Sequence, residues 1–192
     1  MDYMEPYIVD LRAAGTLVTV ATVREHLNLF EDTSYDTLLA GIINAATTNV
    51  EDYLGEFLAF TSVTQPFRGF YQELPLVHNR ILSIDSIQYR STDGTMQTVA
   101  PSVWVYDNTA REKSVRLARG QQWPSDLDDS FRAPVSVNYS AEWEDAPEVI
   151  VQAILLTCGD LFENRNNSTS ERLTTVPLSV RHLIAPHVTR RF

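Results

Sequence analysis

The side chains able to do chemistry are few and scattered. The histidines are His26, His78, His182 and His187, and the single cysteine is Cys158. A zinc site gathers four N, S or O donors through short spacings, and no histidine pair here has such a spacing with acids nearby. His182 and His187 stand five apart across Pro186, a poor chelating geometry. Asp126, Asp128 and Asp129 form a D-x-D-D run that lacks the glycine and distal bidentate glutamate of a calcium loop. The run reads as a solvated acidic loop. No G-x-S-x-G, G-x-x-x-x-G-K-[ST] or G-x-G-x-x-G occurs, and Lys113 is the only lysine. Glu142 with Glu144 could do acid–base work, but nothing in the sequence places them in a pocket. No catalytic residue, metal ligand or cofactor is therefore expected, and the chain does not read as an enzyme. Cys158 falls on an apolar helix and reads as a buried, unreactive thiol.

Charge narrows the partners. The net charge of -10 argues against a protein that grips phosphates, which would show a basic face. Residues 1–60 hold ten acids and two arginines, whereas residues 171–192 hold one acid, Glu171, and four arginines. A basic tail on an acidic body suits head-to-tail assembly, since one end attracts the other or a partner. No apolar run approaches the roughly 20 residues that cross a bilayer, so no membrane partner is expected. Met1–Pro6 lack the basic start and apolar block of a secretory signal. With one cysteine and no internal disulfide, the chain reads as cytosolic. An apolar content of 44% allows a sizeable core.

Four helices and about six strands must position whatever surface matters. Met1–Gly15 has no clean period and reads as a terminal arm. Thr19 caps a short helix from Val20 to about Leu27. Thr33 or Ser34 caps a longer one running to about Phe57, with Leu38, Leu39, Ile42, Ile43, Ala46, Val50, Tyr53, Leu54 and Phe57 in its apolar stripe. Residues 59–141 change to alternating strands, with Asp93-Gly94 as a hairpin turn and further strands at 103–106, 115–118 and 135–141. Pro147 opens a third helix in which ten of the fourteen residues from Val149 to Phe162 are apolar. Pro177 opens a last short helix that Pro186 ends or kinks. The outer helices carry stripes too large to leave wet, and burying them against each other makes the β segment an insertion. The expected fold is α+β: an antiparallel bundle of two long and two short helices carrying a small antiparallel β-domain. The organisation is an arm at 1–16, a main domain at 17–186 with helices over 20–57 and 147–186, and a tail at 187–192.

Taken in order, several segments resemble the head–tail connector (adaptor, or head-completion) proteins of long-tailed phages and gene transfer agents. Val18-Thr19-Val20 leading to His26-Leu27 looks like the family's first helix, and Val50-Glu51-Asp52-Tyr53-Leu54-Gly55 like the end of its second. Ile81, Ser83, Ile84, Ile87 and Tyr89 before Asp93-Gly94 resemble its central hairpin. Trp123-Pro124, Val137-Tyr139-Ala141, Pro147, Ala153–Leu156, Phe162–Arg165 and Pro177–Val180 follow in the family's order. The similarity spans about Leu17 to Pro186. Glu142 stands where a glycine commonly follows the Tyr-x-Ala strand, and the first sixteen residues extend beyond the usual start.

The resemblance implies a structural subunit, with twelve copies in a homo-oligomeric ring under the portal protein that extends the DNA channel. The ring would assemble in the host cytoplasm, reside in the virion neck, and offer a platform to a stopper, tail-terminator or tail protein. Double-stranded DNA would pass through its lumen without sequence-specific binding. The family's portal-reaching C-terminus maps here to Val188, Thr189, Arg190, Arg191 and Phe192. An acidic lumen lets a duplex slide, and the polar face from Asp36 to Glu56, with Asp36, Glu51, Asp52 and Glu56, is the expected lining. Two alternatives remain at this stage. One is another neck component; the other is a ligand- or carbohydrate-binding β module using Trp104, Trp123 or Trp143.

Overall fold

The computed structural model describes residues 7–12, 17–109, 112–164 and 176–189. The chain divides into two compact units: Met1–Ala13 with Phe60–Glu142, and Ala14–Ala59 with Trp143–Phe192. Among the described residues the first is built of β-strands with one 3-10 turn at Pro101–Val103 and the second is helical, so the α+β class expected from the sequence is what the chain adopts. No helix among the described residues is long and apolar enough to cross a membrane.

The β unit holds a five-stranded and a three-stranded antiparallel sheet. The larger runs β1 (Ile8–Arg12), β2 (Thr61–Phe67), β8 (Val135–Ala141), β4 (Ile81–Arg90) and β5 (Met96–Thr98) across its width. The smaller runs β3 (Glu73–Pro75), β7 (Ser114–Leu117) and β6 (Trp104–Asp107). β8 is central, and its pattern fits: Val135, Val137, Tyr139 and Ala141 alternate onto one face and are buried, and Ser140 on the other face is buried as well. Across from them, β2 buries Thr61, Val63, Gln65 and Phe67. Gln65 is a buried amide with its hydrogen bonds filled, because its Nε2 donates to Pro75 O at 2.9 Å and its Oε1 accepts from Val77 N at 3.0 Å. Tyr139 OH and His78 Nδ1 share a 2.7 Å hydrogen bond beside it.

The Asp93-Gly94 turn forms as expected, with Gly94 at φ 85. The Asp93 carboxylate accepts from the Ser91 hydroxyl and from the Thr95 N–H at 2.9 Å and hydroxyl at 2.7 Å. Those bonds, led by Ser91 and then Thr95, hold its pKa down to about 2 from 3.8. The sign follows from linkage. The contribution of this turn is complete above the ordinary carboxylate range and fades as pH falls toward 2. An NMR titration of Asp93 should show this low midpoint, and Ser91→Ala should raise it. An Asp93 midpoint near 3.8 in the native chain would mean the turn network does not form in solution.

Two strands differ from the sequence expectation. Ile8–Arg12, which read in the sequence as part of a terminal arm, form the edge strand β1, pairing Ile8 with Thr64 and Arg12 with Thr61. All five residues are exposed, so no buried alternation marked them. β3 is three residues ending in proline, too short to read as a strand.

In the helical unit, α1 (Val20–His26) starts as expected, with Thr19 Oγ1 accepting from Thr22 N at 3.2 Å. α2 (Asp36–Leu54) departs at both ends. Neither Thr33 nor Ser34 caps it; Tyr35 occupies the cap position without a side-chain bond, while Asp32 Oδ1 accepts from Ser34 N at 2.9 Å. It stops at Gly55, in the left-handed region at φ 72, and not at Phe57. α3 (Glu148–Glu163) buries Ile150, Ala153, Ile154 and Cys158, and α4 (Leu178–Ile184) buries Val180 and Ile184. These side chains share one core with Leu39, Ile43, Val50 and Leu54 of α2, and with Trp143.

Candidate assembly surfaces

Among the described residues, no group of three or more histidine, cysteine or carboxylate side chains could hold a metal ion. The acidic run is committed to local structure: Asp126 accepts from Tyr89 OH at 3.0 Å, and Asp128 pairs with Arg90 at 3.3 Å. Burial pushes the Cys158 thiol up to about 12, so at neutral pH it carries almost no thiolate.

None of the three tryptophans is exposed. Trp123 stacks on Phe70 with ring centres 4.8 Å apart and donates its indole N–H to Tyr71 O at 2.8 Å. Trp143 lies in the helical core, and Trp104 is half-buried. A sugar-stacking platform needs an open ring face, and Trp143 offers none.

The expected acidic face of α2 breaks up. Glu51 is 4% exposed and turns back to accept from Leu58 N at 2.8 Å, bracing the chain where it leaves the helix. Glu56 is 2% exposed and accepts from the Thr189 hydroxyl at 2.6 Å. Asp36 pairs with Arg24 at 3.2 Å, at the other end of the helix. Asp52 alone is plainly exposed. The structure therefore does not assemble these four carboxylates on one wet surface. Glu51 satisfies a backbone N–H that would otherwise be buried unsatisfied, and Glu56 holds a half-buried hydroxyl.

The C-terminal segment also differs from a freely extending tail. After α4 a 3-10 turn over Ala185–His187 carries Pro186. Thr189 N then donates to Leu54 O at 2.9 Å, so Thr189 is fixed to the end of α2 by both backbone and side chain. Val188 and Thr189 are half-buried. Arg190, Arg191 and Phe192 lie outside the described residues.

One loop holds an unusual side chain. Phe30 is 64% exposed and sits at φ 42, a left-handed conformation that bulky residues seldom adopt. Arg24 Nη1 donates to Phe30 O at 3.0 Å and helps keep the loop in place. In the sequence only the break after Leu27 hints at it.

Comparison with known proteins fits these parts. The family model for phage gp6-like head-tail connector proteins matches residues 17–98. The resemblance is to the head–tail connectors. That match takes in α1, α2 and the strands as far as β5, and it bears out the likeness read from the motifs. In solved structures, similar chains occur in "Neck of empty GTA particle computed with C6 symmetry", with a TM-score of 0.73 and 19% identity over 98% of this chain and 97% of that one. The "Virion of native gene transfer agent (GTA) particle" holds another, at 0.73 and 18%, with the same coverage. A third is in "Neck of native GTA particle computed with C12 symmetry", at 0.67 and 16%, over 96% and 97%. At these identities the likeness establishes a shared fold. No curated protein matches the chain in sequence.

Proposed function

We propose that this chain is a structural subunit of the neck between a phage-like head and its tail. Copies form a ring, twelve by the notion of C12 symmetry, that continues the DNA channel below the portal protein. The ring's far side receives a stopper, tail-terminator or tail protein. The observation that carries this is the fold likeness to neck chains across nearly the whole of both molecules. The connector family match over 17–98 favours this role over other neck components. A subunit that repeats by rotation needs one surface complementary to a different surface of itself, and no catalytic constellation.

Portal contact is assigned to the C-terminus, with the division of labour revised. Val188 and Thr189 form a base held against α2, and the contact itself falls to Arg190, Arg191 and Phe192. Guanidiniums suit acidic groups on the portal, and a terminal aromatic suits a pocket. The DNA lining proposed on α2 reduces to Asp36 and Asp52.

The test is attachment of purified chain to portal-bearing heads, seen by electron microscopy. Full-length chain is expected to occupy the portal vertex. A chain ending at Thr189, which keeps the internal anchor, is expected to attach at least ten-fold less tightly. Equal attachment would remove the tail from the contact. Failure of the full-length chain to attach at all would overturn the connector role.

A further inference from the structure

The outer face of α2 is bare of charge. No charged residue occurs from Thr37 through Val50, although Thr37, Leu38, Gly41, Asn44, Ala45 and Thr48 are exposed there. A solvated helix face ordinarily carries acids and bases. Thr37, Leu38, Gly41, Ile42 and Ala45 line an open, mainly apolar groove of about 320 Å³ with Leu161 from α3, and Leu38 is 42% exposed.

Gly41 lies mid-helix, where glycine is the poorest choice after proline. A Cβ there would meet nothing within 4 Å, so this chain's own packing does not require a glycine.

Charge selects the occupant. The helical unit contains thirteen acids and six bases, so two copies repel wherever their acids face each other. A surface without charge lets two copies approach closely without that repulsion. A basic partner would gain more from the acidic surfaces than from this neutral strip, and depletion of charge is what the centre of a protein–protein contact shows. We infer that the α2 face centred on Leu38, Gly41 and Ala45 is where one copy of this chain docks on the next. In a cyclic assembly the contact is heterologous, so this face meets a different face of its neighbour. The inference rests on the ring proposed above.

The test compares wild-type chain with Gly41→Leu and Ala45→Glu by native mass spectrometry and sedimentation. Gly41→Leu fills the groove while favouring the helix, so its monomer should melt at or above the wild-type temperature. Both variants are expected to need at least ten-fold more protein to assemble, free or on portal-bearing heads. Rings at the wild-type concentration would overturn the α2 contact and leave the ring itself standing. Wild-type chain that forms no cyclic oligomer in either setting would sink the ring instead. Variants that form normal rings but lose attachment to the portal or tail would show that another protein covers this face, and would also overturn the inference.

Discussion

Tyr139→Ala is expected to cost about 3–5 kcal/mol of stability, the range for removing a large aromatic from a core. Tyr139 is fully buried on the central strand β8, opposite Val63 on one side and Ile84 on the other. Truncation opens a cavity against both neighbouring strands, and His78 Nδ1 loses its 2.7 Å partner. The two losses can be separated. Tyr139→Phe keeps the packing and removes only the hydroxyl, and should cost about 1–2 kcal/mol. Urea unfolding of both variants gives the values. A loss below about 1 kcal/mol for the alanine variant would mean the strand does not hold this ring in the core.

What could be read from the chain was whatever depends on local periodicity or local chemistry. The stripe of α2, the Thr19 cap and the Asp93-Gly94 turn are each set by neighbours within a few positions, and each formed. β1 escaped because its five residues are wet on both faces, leaving only edge pairing to β2 to define it. The end of α2 was readable and was misplaced: Gly55 is a helix-stopping residue in the sequence, and the apolar Phe57 only appeared to extend the stripe. The acids were the larger miss. Glu51, Asp52 and Glu56 look alike as letters. Their fates diverge because Gly55 turns the chain back over Glu51, and Thr189, 133 positions later, comes to Glu56. No helical wheel contains either event. The resemblance supplied the expectation of a reaching C-terminus, but not the anchor that fixes Thr189.

Glu51 and Asp52 should therefore answer mutation in opposite ways. Glu51→Ala is expected to destabilise by about 2–3 kcal/mol, because a buried N–H loses a charged acceptor. The donor is Leu58 N, and Leu58 itself is buried, so water cannot readily take the carboxylate's place. Glu51→Gln retains an acceptor oxygen and should lose less than about 1 kcal/mol. Asp52→Ala removes an exposed negative charge from a helix C-terminus, where the backbone dipole disfavours it, and should be neutral or gain a few tenths of a kcal/mol. Thermal melts of the three variants test the order. The Glu51 effect should also travel outward, since Leu54 O and Glu56 hold Thr189 just past the same helix end. Amide exchange at Thr189 is expected to quicken in Glu51→Ala and to stay unchanged in Asp52→Ala. Equal exchange in both would separate the helix end from the base of the C-terminal segment, and portal attachment would then be insensitive to Glu51.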